Sequence, residues 1–468
     1  MRRVRWLSAA AVVLVLGYVA ADVADVAPGL LTLDPATTGP APTRPAPSDP
    51  AREPLPPAMP ALATDAPAPT PEGVSRVLDP LLSVDQLGPQ TSATVIDAAT
   101  GDVLLDQFGT SLRVPASTAK LLTGAATLST VGGATTLATR AVQGGSADEV
   151  VLVGGGDVML GTGASKLDQV HGHAGLRTLA AQVAKALSAA GRSQVAVRFD
   201  DSAFAGPTVS PGWSATDLQI GFVGHITALG LDDDLAAVNH PGPADPSLAA
   251  GQAFAQALRR QGITVVGNVV RTRASADAKV LGEVRSAPVA DVLGVALTTS
   301  NNTIAEVLAR LTAKAMQRPA TFEDSALAVM DQVQRLGVDV GGSHLTDGSG
   351  LAAGSAVTSQ VLTDLLVLAS GGSTPALRPL LAGLPVSGFT GTLAERFDRP
   401  LTQDAAGTVR AKTGTLTGVN SLAGTTVDAD GRLLVFAVMS DRVPVGGTTL
   451  ARRASDRVAA ALTACGCR

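Results

Sequence analysis

The sequence predicts a mixed α/β fold in which an antiparallel sheet, built from both ends of the chain, is flanked by helices. Three observations carry this. From Gly73 onward, short apolar runs alternate with Ala- and Leu-rich stretches of helical period. Strand-like runs at 94–97 and 103–105 flank Ala98-Ala99-Thr100-Gly101-Asp102, and runs at 422–427 and 433–439 flank Asp428-Ala429-Asp430-Gly431-Arg432, so a hairpin lies near each end. No repeat period recurs, which excludes a solenoid. Between the hairpins, apolar spacing and capping residues predict helices over 117–128, 176–189, 248–261, 303–315, 323–336 and 358–369, and one more follows at 448–462.

Composition narrows the function. Of 468 residues 46% are hydrophobic and only 16% charged, with nine Phe, two Trp and one Tyr, so a large core must be packed from Ala, Val and Leu. Thirty-five basic against forty acidic residues give a net charge of −5, with no basic block beyond the first five residues, which argues against a nucleic-acid grip. Cys465 and Cys467, the only cysteines, are too few and too close for a zinc site or a disulfide framework. At about 150 residues per domain, the length favours two or three domains.

The chain starts with an address. Arg2, Arg3 and Arg5 precede an uncharged run over 6–21, and Val19-Ala20-Ala21 offers small residues for cleavage. Residues 1–27 are read as a signal peptide or an uncleaved membrane anchor, since the run falls little short of a bilayer span. Residues 28–72 hold fourteen of the twenty-nine prolines and read as a disordered Pro/Ala-rich linker.

Two absences shape the search for chemistry: no serine sits in G-x-S-x-G, and the five histidines never form H-E-x-x-H. Lysine points elsewhere. Six Lys stand against twenty-nine Arg, so positive charge is generally entrusted to Arg, and a retained Lys can be serving as a titratable amine. In Ser117-Thr118-Ala119-Lys120 the i, i+3 spacing puts hydroxyl and amine on one helix face, an activated nucleophile without histidine. In Lys412-Thr413-Gly414-Thr415, just before the late hairpin, an ammonium and hydroxyls suit a substrate carboxylate, and a strand glycine marks close approach by a ligand or chain. Between them, Ser300-Asn301-Asn302 opens a helix with groups suited to a proton relay and an amide contact; taken alone it is a helix cap.

In that order the three motifs resemble the penicillin-binding protein and serine β-lactamase superfamily. More closely, residues 75–463 resemble the D-alanyl-D-alanine carboxypeptidase/endopeptidase group of the penicillin-binding protein 4 type, peptidase family S13. Further strings agree: Arg113-Val114-Pro115-Ala116, Gly155-Gly156-Asp157, Asp201-Ser202-Ala203-Phe204, Pro211-Gly212-Trp213, Ala305-Glu306 and Asp347-Gly348-Ser349-Gly350-Leu351.

The resemblance implies a penicillin-binding/β-lactamase-like catalytic domain over 73–140 and 286–468, with a smaller domain inserted at 141–285. Ser117 would attack the carbonyl between two terminal D-alanines, Lys120 would take its proton, and Ser300 would pass it to the departing D-alanine. Asn302 would hold the substrate backbone and Lys120, while Lys412, Thr413, Gly414 and Thr415 would line the carboxylate end, with the N–H groups of Ser117 and Thr415 as the oxyanion hole. Asp217, after Trp213, would meet the substrate's side-chain amine. No metal or organic cofactor is implied. The implied partners are peptidoglycan stem peptides, with β-lactam antibiotics as acylating inhibitors, on the outer side of the cytoplasmic membrane.

Two departures stand out: Ala352-Ala353 replaces the arginine of diaminopimelate-specific members, and Asn239-His240-Pro241 leads almost directly to the helix at 248, leaving little room for a third domain. A β-lactamase and a catalytically silent penicillin-binding wall protein remain as alternatives. The balance between carboxypeptidase and endopeptidase activity is not legible, because both cut a D-Ala-D-Xaa bond with the same residues.

Overall fold

A computed structural model describes residues 66–468. The expected export segment 1–27 and most of the Pro-rich stretch lie outside the described residues. Helix Pro71–Leu82 begins inside the stretch expected to stay extended to residue 72. Thr70 Oγ1 caps it by accepting from Gly73 N at 3.1 Å, and Pro71 occupies the first turn, where its missing N–H costs nothing.

The strands are β1 (Gln90–Asp97), β2 (Val103–Gln107), β3 (Thr136–Gln143), β4 (Glu149–Val153), β5 (Asp157–Leu160), β6 (Gln194–Asp200), β7 (Leu229–Leu231), β8 (Thr264–Arg271), β9 (Val280–Pro288), β10 (Arg410–Leu416), β11 (Val419–Val427) and β12 (Leu433–Asp441). The first sheet runs β10-β11-β12-β1-β2 and is antiparallel throughout. Both expected hairpins are present, and pairing of β1 with β12, Val95 opposite Phe436, joins the two ends of the chain.

Period-two alternation sets the layers. Leu434, Phe436 and Val438 of β12 face one core with Leu78 and Leu82 of the first helix and Val458 and Leu462 of Thr448–Thr463. Val435, Ala437 and Met439 face the opposite core, with Leu121, Leu308, Val329 and Leu362 from helices Ala119–Thr127, Asn302–Ala315, Phe322–Arg335 and Ser359–Ser370. With both faces covered, β12 reads as a continuous apolar run.

The second sheet, β8-β6-β4-β3-β9, mixes antiparallel pairs at β3 with parallel pairs β4/β6 and β6/β8. It has its own core, in which Leu152, Val197 and Phe199 meet Leu179 and Val183 of helix Leu176–Ala189 and Phe254 and Leu258 of helix Pro246–Arg260. Its first strand in the chain starts at Thr136 and its last ends at Pro288, a little beyond the expected 141–285.

The expected helices fall within one or two residues of their bounds, except the one at 117–128, and among the described residues four further helices were not expected: Pro71–Leu82, Ala215–Gln219, Val289–Thr298 and Arg378–Ala382. The near-continuous apolar run of Val289–Thr298, with Val289, Val292, Leu293, Ala296 and Leu297 buried, gives a weak amphipathic signal. The helix expected at 117–128 is instead a 3₁₀ turn (Ala116–Thr118), an α-helix (Ala119–Thr127) and a closing turn (Leu128–Gly132). Cys465 and Cys467, which the spacing set apart from a disulfide framework, lie side by side after the last helix with Cα atoms 5.0 Å apart.

Candidate active site

The site starts from a strained turn. Ala116 sits in the left-handed region at φ 47°, a conformation an L-residue adopts only at a cost of about 1 kcal/mol or more. Three contacts hold it. Gly350, at φ +78°, lies so close that a Cβ there would collide with the Ala116 carbonyl. Thr118 Oγ1 and Ser421 Oγ each donate to the Pro115 carbonyl at 2.7 Å. The turn delivers Ser117, half-buried, to a cleft of about 320 Å³ whose walls include Ser300, Thr392, Thr413 and Thr415.

One helical turn on, Lys120 is 1% exposed, and its Nζ donates to Ser117 Oγ at 3.0 Å, Asn302 Oδ1 at 2.6 Å and the Ser349 carbonyl at 2.8 Å. All three acceptors are neutral oxygens. Burial, opposed by the charges of Asp347 and Glu306, brings the Lys120 amine down to about 8 from 10.5. A lysine so placed gives up its proton near neutrality.

Across the cleft, Asn301 caps helix Asn302–Ala315, its Oδ1 accepting from Ile304 N at 2.9 Å. Ser300 precedes the cap at φ 59°, a second left-handed residue at this site. Its Oγ accepts from Lys412 Nζ at 2.9 Å. Lys412 is fully buried and donates also to its neighbour's carbonyl at Thr413; burial, with Lys120 and Arg396 nearby, holds its amine well below the usual range. Lys412 therefore stands behind Ser300 and Thr413, and these two side chains meet the cleft. Asn302 Nδ2 donates to the Phe222 carbonyl at 2.7 Å, tying the segment after Trp213 to the lysine network.

Two expected positions have local structural work. Asp217 closes a capping box, its Oδ2 accepting from Ser214 N and Ser214 Oγ at 2.8 Å each. Gly414 permits contact between chain segments: a Cβ there would meet Ser421 Oγ and lie 2.6 Å from the Pro115 carbonyl. Of the two approaches a strand glycine can mark, the structure shows that of the chain.

Several site residues were given no role by the sequence. Asp347, completely buried, accepts from Gly350 N at 2.7 Å, Trp213 Nε1 at 2.8 Å, Ala352 N at 2.8 Å and Ser349 Oγ at 3.2 Å, and so fixes the loop whose carbonyl holds Lys120. Glu306 Oε2 accepts from Gly348 N at 3.0 Å, and burial, with Asp347 nearby, raises its carboxyl to about 8. Thr392, Arg396 and Arg452 complete the cleft walls. The strings 347–351 and Ala305-Glu306 carried the sequence signal for this group, and nothing marked Thr392, Arg396 or Arg452.

The chain is similar to carboxypeptidases of known sequence and to a penicillin-binding protein of known structure. The chain is 36% identical over 428 residues to a carboxypeptidase of Mycobacterium tuberculosis, covering 89% of this chain and 90% of that one. It is 29% identical over 444 residues to a D-alanyl-D-alanine carboxypeptidase of an Actinomadura species, covering 79% and 80%. The crystal structure of penicillin binding protein 4 from Haemophilus influenzae superposes with a TM-score of 0.66 at 21% identity, covering 82% of this chain and 97% of that one, which shows a shared fold. The family model described as the D-Ala-D-Ala carboxypeptidase 3 (S13) family matches residues 74–242 and 240–463, and the chain belongs to that family.

Proposed function

We propose that the chain is a serine-type DD-peptidase that removes the terminal D-alanine from peptidoglycan stem peptides through an acyl-enzyme on Ser117. The observation that carries it is the 3.0 Å contact between a buried, partly deprotonated Lys120 amine and the Ser117 hydroxyl. With a pKa of about 8, about one Lys120 in ten is neutral at pH 7 and free to accept a proton. As Ser117 Oγ bonds to the scissile carbonyl carbon, its proton passes to Lys120. The C–N bond then breaks as the leaving D-alanine nitrogen takes a proton from Ser300, and Ser300 is reprotonated at the expense of the proton held on Lys120, which returns that amine to its neutral form; Ser300 lies between the cleft and Lys412. Water cleaves the resulting ester, returning Ser117 and releasing the shortened peptide. Thr413 and Thr415 receive the terminal carboxylate, while Lys412 acts on it through Ser300 and Thr413.

The inserted domain is assigned to 136–288, widened from 141–285 by β3 and β9. The substrate polymer lies outside the cytoplasm, where residues 1–27 would deliver or anchor the chain. A β-lactam presents a strained amide in place of the D-Ala-D-Ala bond and acylates Ser117; penicillin binding protein 4 of H. influenzae has been seen complexed with such a compound. The test is release of D-alanine from a stem peptide together with fluorescent-penicillin labelling, each repeated with Ser117→Ala. Both are expected to vanish. Equal labelling of the two proteins removes Ser117 from the mechanism.

A further inference from the structure

The cleft that holds Ser117 opens, past Thr392, Arg396 and Arg452, into a second cavity of about 520 Å³ lined by all three. Five arginines line this cavity: 396, 399, 452, 453 and 457. Arg396 is paired with Asp456 through contacts of 2.6 and 3.2 Å, and Arg399 lies 3.9 Å from Asp398. Among the described residues Arg452, Arg453 and Arg457 make no ion pair, and the only other acid in the wall is Glu395. The spacing of 452, 453, 456 and 457 puts these groups on one face of helix Thr448–Thr463. Arg452 Nε reaches Thr415 Oγ1 at 3.4 Å, so the basic face begins where the substrate carboxylate site ends. Five arginines against three carboxylates leave the wall with a net charge of +2, and a cavity with such an excess concentrates anions.

On the reading above, Thr413 and Thr415 hold the carboxylate of the residue to be expelled, so whatever lies beyond Thr415 belongs to the leaving group. A departing D-alanine ends in a methyl and cannot reach or use such a wall. We propose that this arginine-lined cavity is a leaving-group subsite for a D-amino acid whose side chain carries a further carboxylate, as in an anionic peptide joined through a D-Ala-D-Xaa bond. The inference rests on the DD-peptidase reading and assigns the substrate half that reading leaves open.

Three peptides with one acyl half, ending in D-Ala-D-Ala, D-Ala-D-Glu and D-Ala-D-Gln, test it. D-Glu and D-Gln are near-isosteres that differ in charge. The native protein is expected to favour the D-Glu peptide over the D-Gln peptide about fivefold in kcat/KM at low ionic strength, the scale of contacts to exposed guanidinium groups. The preference shrinks in about 0.5 M NaCl. Arg453→Gln with Arg457→Gln brings the ratio to about one, and Arg453→Lys with Arg457→Lys restores most of it. A native ratio near one, or a ratio unchanged in the Gln variant, overturns the subsite while D-alanine release from D-Ala-D-Ala keeps the parent reading intact. Failure to release D-alanine at all overturns both.

Discussion

Replacing Lys120 by arginine tests the proton acceptor most directly. Arginine keeps the cation but gives up no proton near neutrality. The native amine is brought to about 8 by burial, which outweighs the opposing charges of Asp347 and Glu306. Only its neutral form can accept from Ser117, so acylation should rise with pH, about tenfold per unit, and level off above about pH 8. Loss of a positioned general base costs about 10² to 10⁴ in rate, or about 3 to 5 kcal/mol of barrier. The assay is the second-order rate of fluorescent-penicillin acylation of Lys120→Arg from about pH 6 to pH 9, with Lys120→Met as a second variant should the larger guanidinium not fit. Thermal melts establish that each variant folds. A flat native profile over that range, or a Lys120→Arg variant acylated within tenfold of the native rate, refutes the assignment of Lys120 as the base.

Three further outcomes follow from the same contacts. Glu306 binds its proton up to about 8 in the folded protein but only to 4.5 in the free residue, so its contribution is fully present below about pH 4.5 and is lost as pH rises through 8. Glu306→Gln should therefore melt close to native at about pH 5 and above native at about pH 8, by on the order of a few kcal/mol; an equal or opposite difference at the two pH values contradicts this. Gly414→Ala drives a methyl toward Ser421 Oγ and the Pro115 carbonyl, and should reduce penicillin acylation by pushing β10 from the turn that carries Ser117; native acylation rates would show that the strand has room. Trp213→Phe keeps the apolar packing against Phe322, whose ring centroid is 5.1 Å away, but removes the indole N–H from Asp347. The expected loss is about 1 to 3 kcal/mol in chemical denaturation, and a neutral result would mean that Asp347 finds another donor.

The two hairpins, most of the long helices and the three motifs were legible in the sequence because each depends on neighbours in the chain. Period-two runs mark strands, i, i+3 spacing places Ser117 and Lys120 on one face, and Asn301 caps the helix it precedes. What escaped depends on contacts between distant segments. Helix Val289–Thr298 is apolar nearly all round, so only its burial between other elements distinguishes it from a strand. Lys412 and Ser300 are 112 positions apart and meet through the packing of β10 against the helix end, which puts the amine behind the cleft and the hydroxyl in its wall. Asp217 carries the residue type of a substrate contact, and its part in the capping box at its own helix start was not read from the sequence. The sequence by itself determined which side chains could do acyl-transfer chemistry and in what order they occur. Folding alone settled which of them are desolvated enough for an amine to lose its proton near neutrality, and that five arginines line the cavity beside Thr415, because desolvation and field are sums over atoms that the chain brings together only on folding.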